Sequence, residues 1–378
     1  MKRVFVAASL LFVFSLNQAM AQSCSIVQQG YSVVVDGRPF SALSSNDDCW
    51  LFVSVEKSSS GGVAVLRNTQ GRFVLDHTVN IDSEVFGETL THDGKHLIVA
   101  ARSRTLVLNV ERLEHNDSAA LEGSLSDGRG AGAIYAAVTH DDQTLFVSDE
   151  DKKRLSVFDL GRAQASQFHD VNPTGNVPTG VSPVGLAMAP DGRWLYAVSE
   201  GGATRSSLCA PESKGERQHP QGVLLVIDAM KARQDAAHAL ISAFPAGCNP
   251  VRVAPSPEGD RVWISARGDN ELLRIQSVDW SVGVDHIQSA SFAIGPNPIG
   301  VAVRPDGKQV WVAVSNRFGN TSAGQLAGLA DARTDNPKTL LSAPAPQFPR
   351  EVTFLGDGRT LVATLFDGKQ VEFVPTPD

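Results

Sequence analysis

The chain has 378 residues, 20% of them charged, and a formal net charge of −8. Its basic residues do not cluster, which excludes the concentrated cationic face that nucleic acid binding requires. No segment beyond the N-terminus is long and apolar enough to span a bilayer as a helix, so no membrane span is expected in the mature chain.

Residues 1–21 read as an export signal. Lys2 and Arg3 form a positive start, Val4–Leu16 is a short apolar core, and Ala19-Met20-Ala21 supplies the small residues that a cleavage site needs. The mature chain, 22–378, is expected to be periplasmic or secreted and monomeric.

From there one phrase recurs seven times. An apolar strand runs into a tight acidic turn, and a second apolar strand leaves it. The turns are Asn46-Asp47-Asp48, His92-Asp93-Gly94, His140-Asp141-Asp142, Pro190-Asp191-Gly192, Pro257-Glu258-Gly259, Pro305-Asp306-Gly307 and Gly356-Asp357-Gly358. Glycine after the acidic residue supplies the positive φ of a two-residue hairpin. The middle acidic residues are spaced by 46, 48, 50, 67, 48 and 51 residues. The one long step spans Gly201–Gln221, a polar stretch that reads as a loop inserted in the fourth unit. Repeats of this length built from short strands predict an all-β fold, a seven-bladed β-propeller of four-stranded antiparallel blades in a single domain.

The second strands, Trp50–Val55, His96–Ala101, Thr144–Ser148, Trp194–Ser199, Gln309–Val314 and Thr360–Leu365, are almost continuously apolar, as suits sheets packed on both faces. In the fifth unit the four strands fall at Val251–Ser256, Arg261–Ala266, Glu271–Gln276 and about Val284–Ile294. Met230–Leu240 fits either a short helix or a turn, Gly324–Ala330 is weakly patterned, and no other segment past the N-terminus has a sustained helical period. The last unit offers only three strands, Arg350–Leu355, Arg359–Leu365 and Lys369–Val374. The ring is expected to close by Tyr31–Val35 joining that blade as its outer strand, because an open ring leaves two unpaired edges.

This topology separates the four cysteines. Connections from second to third strand and from outer strand to the next blade lie on one face, here called upper; the first-to-second hairpins lie on the lower face. Cys24 and Cys49 fall low, Cys209 and Cys248 high. An exported chain permits bridges, and only Cys24–Cys49 with Cys209–Cys248 keeps partners on one face. The second bridge would pin the inserted loop.

Ser182-Pro183-Val184-Gly185-Leu186-Ala187-Met188-Ala189-Pro190-Asp191-Gly192 and Asn297-Pro298-Ile299-Gly300-Val301-Ala302-Val303-Arg304-Pro305-Asp306-Gly307 resemble the repeat of the YVTN family of seven-bladed propellers. That resemblance implies an exported binding or scaffold protein that meets a protein partner or a small polar ligand. Pro349-Arg350-Glu351-Val352, Ser265-Ala266-Arg267-Gly268-Asp269-Asn270 and Glu200 are similar to phrases of the lactonase-like propellers of the 6-phosphogluconolactonase type. This second resemblance implies hydrolysis of a sugar lactone, with Arg267 and Arg350 holding substrate and Glu200 as base; Glu150 and Glu351 are the other carboxylates in reach of that role. The chain departs from that group where middle-blade inner strands start with Ala133-Ile134-Tyr135 and Pro183-Val184-Gly185 instead of His and Arg.

The upper mouth, where loops from every blade meet, is the expected site. Arg102, Glu150, Arg252, Arg267, Asn316 and Arg350 are the candidate ligand-binding residues, with Asp151, Glu200, Arg317 and Glu351 near them in the pattern. His92 and His140 occupy equivalent lower turns and are expected to cap them. The chain lacks His-x-His, His-Glu-x-x-His, Cys-x-x-Cys and phosphate-loop patterns, so neither metal nor cofactor is expected.

Overall fold

The computed structural model describes residues 24–169, 171–202, 208–211, 217–277, 279–281, 287–319, 323–339 and 342–377. Residues 1–21, where an export signal is expected, lie outside these. Seven antiparallel sheets form the blades of a propeller. Blade 1 is Arg38–Ser44, Trp50–Glu56, Gly61–Thr69 and Arg72–Ile81, in that order from the channel outwards. Blade 5 is Pro250–Pro255, Arg261–Ala266, Glu271–Gln276 and Gln288–Ala293, close to expectation, with residues 284–286 of the expected outer strand outside the described residues. In blade 6 the third strand, Gln325–Ala330, pairs outwards with two short pieces, Lys338–Thr339 and Ala343–Pro344.

The ring closes as the strand count requires. Blade 7 contains Pro349–Phe354, Thr360–Leu365 and Gln370–Pro375, and Tyr31–Val34 pairs with the last of these, Tyr31 opposite Phe373 and Val34 opposite Gln370. Phe373 is fully buried between the Tyr31 ring, 4.7 Å away, and the Phe73 ring, 5.2 Å away. The Tyr31 hydroxyl accepts the Phe73 backbone N–H at 2.8 Å. The closing strand is thus fastened both to blade 7 and to the outer strand of blade 1. Cys24 is bonded to Cys49, and Cys209 to Cys248.

Three short helices join third to fourth strands, at Val110–Glu114, Leu160–Ala165 and Ala229–Asp235. Only the last was anticipated. Their signal is the strand's final residue: Asn109, Asp159 and Asp228 each accept a backbone N–H three residues on, the usual N-cap bond. Each helix then buries just two side chains, such as Leu160 and Ala163, so it shows no sustained period. The 201–221 insertion begins one residue later than its sequence suggests, because Gly201 ends a strand, and it carries a small ladder of Leu208–Cys209 with His219–Pro220. No helix among the described residues is long and apolar enough to cross a membrane.

The inner strands set the channel. Their register is the same in every blade: Ala42 pairs with Val53, Glu88 with Val99, Ala136 with Val147, Leu186 with Ala197, Val253 with Ile264, Val301 with Val312 and Val352 with Ala363. Just above these pairs most inner strands carry a bulge, which leaves Phe40, Ile134, Val251 and Arg350 out of the ladder. A bulge re-aims the side chain it frees, and these four line the upper half of the channel.

Phe373→Ala should cost about 3–5 kcal/mol of stability, the range for truncating a buried aromatic ring. Urea unfolding of the variant and the parent checks this.

Candidate functional site

The equivalent registers stack three rings of seven positions down the channel. The upper ring is Phe40, Phe86, Ile134, Val184, Val251, Ile299 and Arg350: six apolar residues and one cation. The middle ring is Ser41, Gly87, Tyr135, Gly185, Arg252, Gly300 and Glu351. The lower ring is Ala42, Glu88, Ala136, Leu186, Val253, Val301 and Val352, six apolar residues and one acid.

The middle ring is a plug. Arg252 donates from Nε to Glu351 Oε2 at 2.7 Å, and its guanidinium lies 3.8 Å above the Tyr135 ring. The Tyr135 hydroxyl reaches the same carboxylate oxygen at 3.4 Å. Glycines make room for these side chains. A β-carbon on Gly87 would clash with the edge of the Tyr135 ring, and one on Gly300 would meet the Glu351 Cα at 2.7 Å. Burial pulls the Arg252 guanidinium down to about 10, against the pull of Glu351, so it stays charged at neutral pH.

Above the plug is a cup of about 390 Å³. Phe40, Phe86, Phe348 and Phe366 form one wall, and Glu150, Glu200 and Arg267 stand on the other blades. Arginines lie on the aromatic faces: Arg350 is 3.6 Å from the Phe40 centroid, Arg38 5.5 Å from Phe366 and Arg317 5.6 Å from Phe348. A guanidinium held flat on a ring keeps its N–H edge free for anions. Arg267 instead pairs with Glu200 at 3.1 Å. Arg350 differs from both. It has no carboxylate within ion-pair distance among the described residues, and its buried Nε has no hydrogen-bond partner there. Burial lowers its guanidinium to about 10. Glu150 is likewise without a side-chain hydrogen bond or ion pair among the described residues; burial, then the charges of Asp151 and Glu200, raise its carboxyl above the usual range, while Arg102 and Arg350 oppose the rise.

The structure therefore brings Glu150, Glu200, Arg252, Arg267 and Arg350 to one cavity, with Arg317 at its wall. Glu351 sits one ring lower, committed to Arg252. Arg102 and Asn316 are not in the cup lining. Arg102, about half exposed, is bound to Glu84 at 2.8 Å, and Asn316 stands by the loop at Gly319 and Ala323. Glu56, Glu88 and the phenylalanines are not singled out by the sequence, and Tyr135 figures there only as a departure from the lactonase-like pattern; laying the seven repeats in register exposes Glu88, like Arg350, as the charged exception of its ring. The Cys209–Cys248 bridge holds the insertion against the turn that carries Arg267, since the Gly268 N–H bonds the Cys248 carbonyl at 2.9 Å and the Arg267 N–H the Asn249 carbonyl at 3.2 Å. On the lower face His92 joins neighbouring turns, with Nδ1 3.0 Å from Asp142 and its ring 4.9 Å from His140.

A larger depression of about 760 Å³ lies at the outer margin of blades 2 and 3. Two of its basic groups are paired, His96 with Glu122 at 3.2 Å and Arg112 with Glu122 at 3.9 Å. The smaller cup, with an unanswered buried donor, is the better candidate.

The family described as "Lactonase, 7-bladed beta-propeller" matches residues 37–321. Among solved structures, a chain of Kuenenia stuttgartiensis hydrazine synthase superposes with a TM-score of 0.66 at 16% identity, over 92% of this chain and 99% of that one. The Myceliophteria thermophila Cps50 (Swd1) β-propeller domain gives 0.65 at 10% identity, over 93% and 99%. The Pseudomonas aeruginosa periplasmic gluconolactonase gives 0.61 at 21% identity, over 81% and 86%. At these identities the superpositions show a shared fold alone. No curated protein matches the chain in sequence.

Glu351→Ala would leave Arg252 buried and unpaired. It should cost about 3–5 kcal/mol, most of it regained when Arg252→Met is added; chemical unfolding of both variants checks this.

Proposed function

The chain belongs to the lactonase family of seven-bladed β-propellers, and on that footing we propose that its upper cup hydrolyses a small lactone of the sugar-lactone class. The observation that carries the reading is Arg350, a lone cation in an apolar ring with a buried donor unanswered among the described residues. Ester opening turns a neutral carbonyl into an oxyanion and then a carboxylate. A fixed cation at that point binds the transition state better than the substrate.

Glu150 is the preferred base. Glu200 is occupied by Arg267 and Glu351 by Arg252, whereas Glu150 lines the cup with its basicity raised by burial. A general base works best when its pKa approaches the working pH. Glu150 takes a proton from water, whose oxygen adds to the lactone carbonyl carbon. Arg350 holds the developing oxyanion. The tetrahedral intermediate collapses with cleavage of the ring C–O bond, and the leaving oxygen takes the proton back from Glu150. Arg267, steadied by Glu200, is placed for substrate hydroxyls, and the aromatic wall for the ring's C–H face. Two disulfides suit an oxidising compartment and support reading residues 1–21 as a cleaved export signal.

The rival reading keeps the cup as a binding site without turnover. The disulfide anchoring the insertion beside Arg267 favours it, because such a tie shapes a recognition surface whether or not chemistry follows.

Hydrolysis of glucono-δ-lactone, followed by proton release, tests the proposal. Glu150→Gln should lower turnover by about 100-fold or more, and Arg350→Met should weaken both turnover and binding. Activity should rise with pH as Glu150 loses its proton, at a pH above that of an ordinary glutamate, and Glu150→Gln should remove that limb. Binding of small lactones without turnover by the parent chain would favour the rival.

A further inference from the structure

Below the plug the channel opens into a second cavity of about 390 Å³. The lower ring walls it with apolar side chains at six of seven positions, and Glu88 takes the seventh. Nothing in the blade geometry demands an acid there, since alanine, leucine or valine fills the equivalent place in every other blade. Glu88 is only 6% exposed. Its Oε1 accepts the Ser54 backbone N–H at 3.3 Å and the Ser41 hydroxyl at 3.5 Å. Its Oε2 has no partner among the described residues. Burial pushes this carboxyl well above the usual range, and no charged group is among the influences on it.

A buried acceptor left unanswered is costly. Of the basic residues in the lining, Arg252 is neutralised by Glu351, His92 lies with Nδ1 3.0 Å from Asp142 and His140 packs against the His92 ring; the hydrogen bonds to Glu88 come from Ser41 and Ser54 instead. Among the described residues nothing donates to Glu88 Oε2, so a donor from outside the chain would fit there.

We propose that the lower cavity binds a small organic cation, a primary ammonium on an apolar body, with its N–H donated to Glu88. Three observations set that chemistry. The open group accepts and carries negative charge when ionised, so the ligand brings a donor and a positive charge. Six of the seven lower-ring side chains are apolar, so the body beside them is aliphatic, while Thr89, His92, His140 and Thr353 join the lining. A lone carboxylate does not make a divalent-metal site: among the described residues no group of three or more His, Cys, Asp or Glu is placed to hold one, whereas zinc takes three or four such ligands and calcium or magnesium about six oxygens. The site is separate from the upper cup and does not depend on lactone hydrolysis there.

Calorimetric titration of the whole chain with butylammonium, butanol and butyrate tests the assignment. Butylammonium should bind about tenfold or more tighter than butanol, the worth of one hydrogen bond to a charged group, and butyrate most weakly. Glu88→Gln should erase the advantage of the ammonium. Leu186→Phe, which fills the cavity from a half-buried position in blade 4, should abolish ammonium binding and decides the question should Glu88→Gln not fold. Equal binding of amine and alcohol, no binding at all, or an ammonium preference that survives either substitution overturns the proposal. Loss of ammonium binding in Arg350→Met alone overturns it too, since that places the ligand in the upper cup.

Discussion

Everything in this molecule depends on one ladder, the pairing of Tyr31–Val34 with Gln370–Pro375. A ring of blades has no fixed diameter until its ends meet. Unpaired, blade 7 would present an open edge beside the N-terminal segment. The stack of Tyr31, Phe373 and Phe73 buries the seam, and the Cys24–Cys49 bridge, closing a separation of 25 residues, removes roughly 3–4 kcal/mol of chain entropy from the unfolded state on the loop-closure model. Closure holds the inner strands at the spacing that lets Arg252, Tyr135 and Glu351 meet across the channel from blades 5, 3 and 7.

A sevenfold repeat places seven equivalent side chains at each level, and identical residues would make an undifferentiated tube. This chain spends most positions on apolar packing and breaks the pattern at a few. In the middle ring, glycine in blades 2, 4 and 6 precedes a large polar side chain in blades 3, 5 and 7, so each long side chain has a gap beside it. The result is a plug with an isolated cation above and an isolated acid below. Charges that are buried and unanswered cost stability, so their placement in otherwise apolar rings points to ligands. Binding chemistry is thus carried by exceptions to the repeat, while the repeat itself carries stability.

Much of the architecture was legible beforehand. The acidic turns marked the hairpins, and second strands such as Gln309–Val314 and Thr360–Leu365 fall where their apolar runs end. The cysteine pairs followed from which face each loop occupies. Less was visible where local signals are brief: the helices at Val110–Glu114 and Leu160–Ala165 span about a turn, too short for periodicity, and are announced only by a capping Asn or Asp. Of the candidate residues, Glu150, Glu200, Arg252, Arg267 and Arg350 share a cavity, whereas Arg102 turns to Glu84 at the rim. A position in the repeat gives the height of a side chain along the channel but not its partner.

The amino-acid sequence by itself determined the number of blades, their strand order, the closure and the disulfide pairing, because these follow from periodicity, turn chemistry and an even count of strands. Only the tertiary structure decided which charges are answered. Arg267 and Glu200 are 67 residues apart in sequence, and Arg252 and Glu351 are separated by 99, yet each pair meets within one channel. Arg350, adjacent to Glu351 in the chain, feels its charge but makes no ion pair with it, because neighbouring residues on a bulged strand point to different levels. Pairing across such distances is set by the diameter of a closed ring, a quantity that no local stretch of sequence contains.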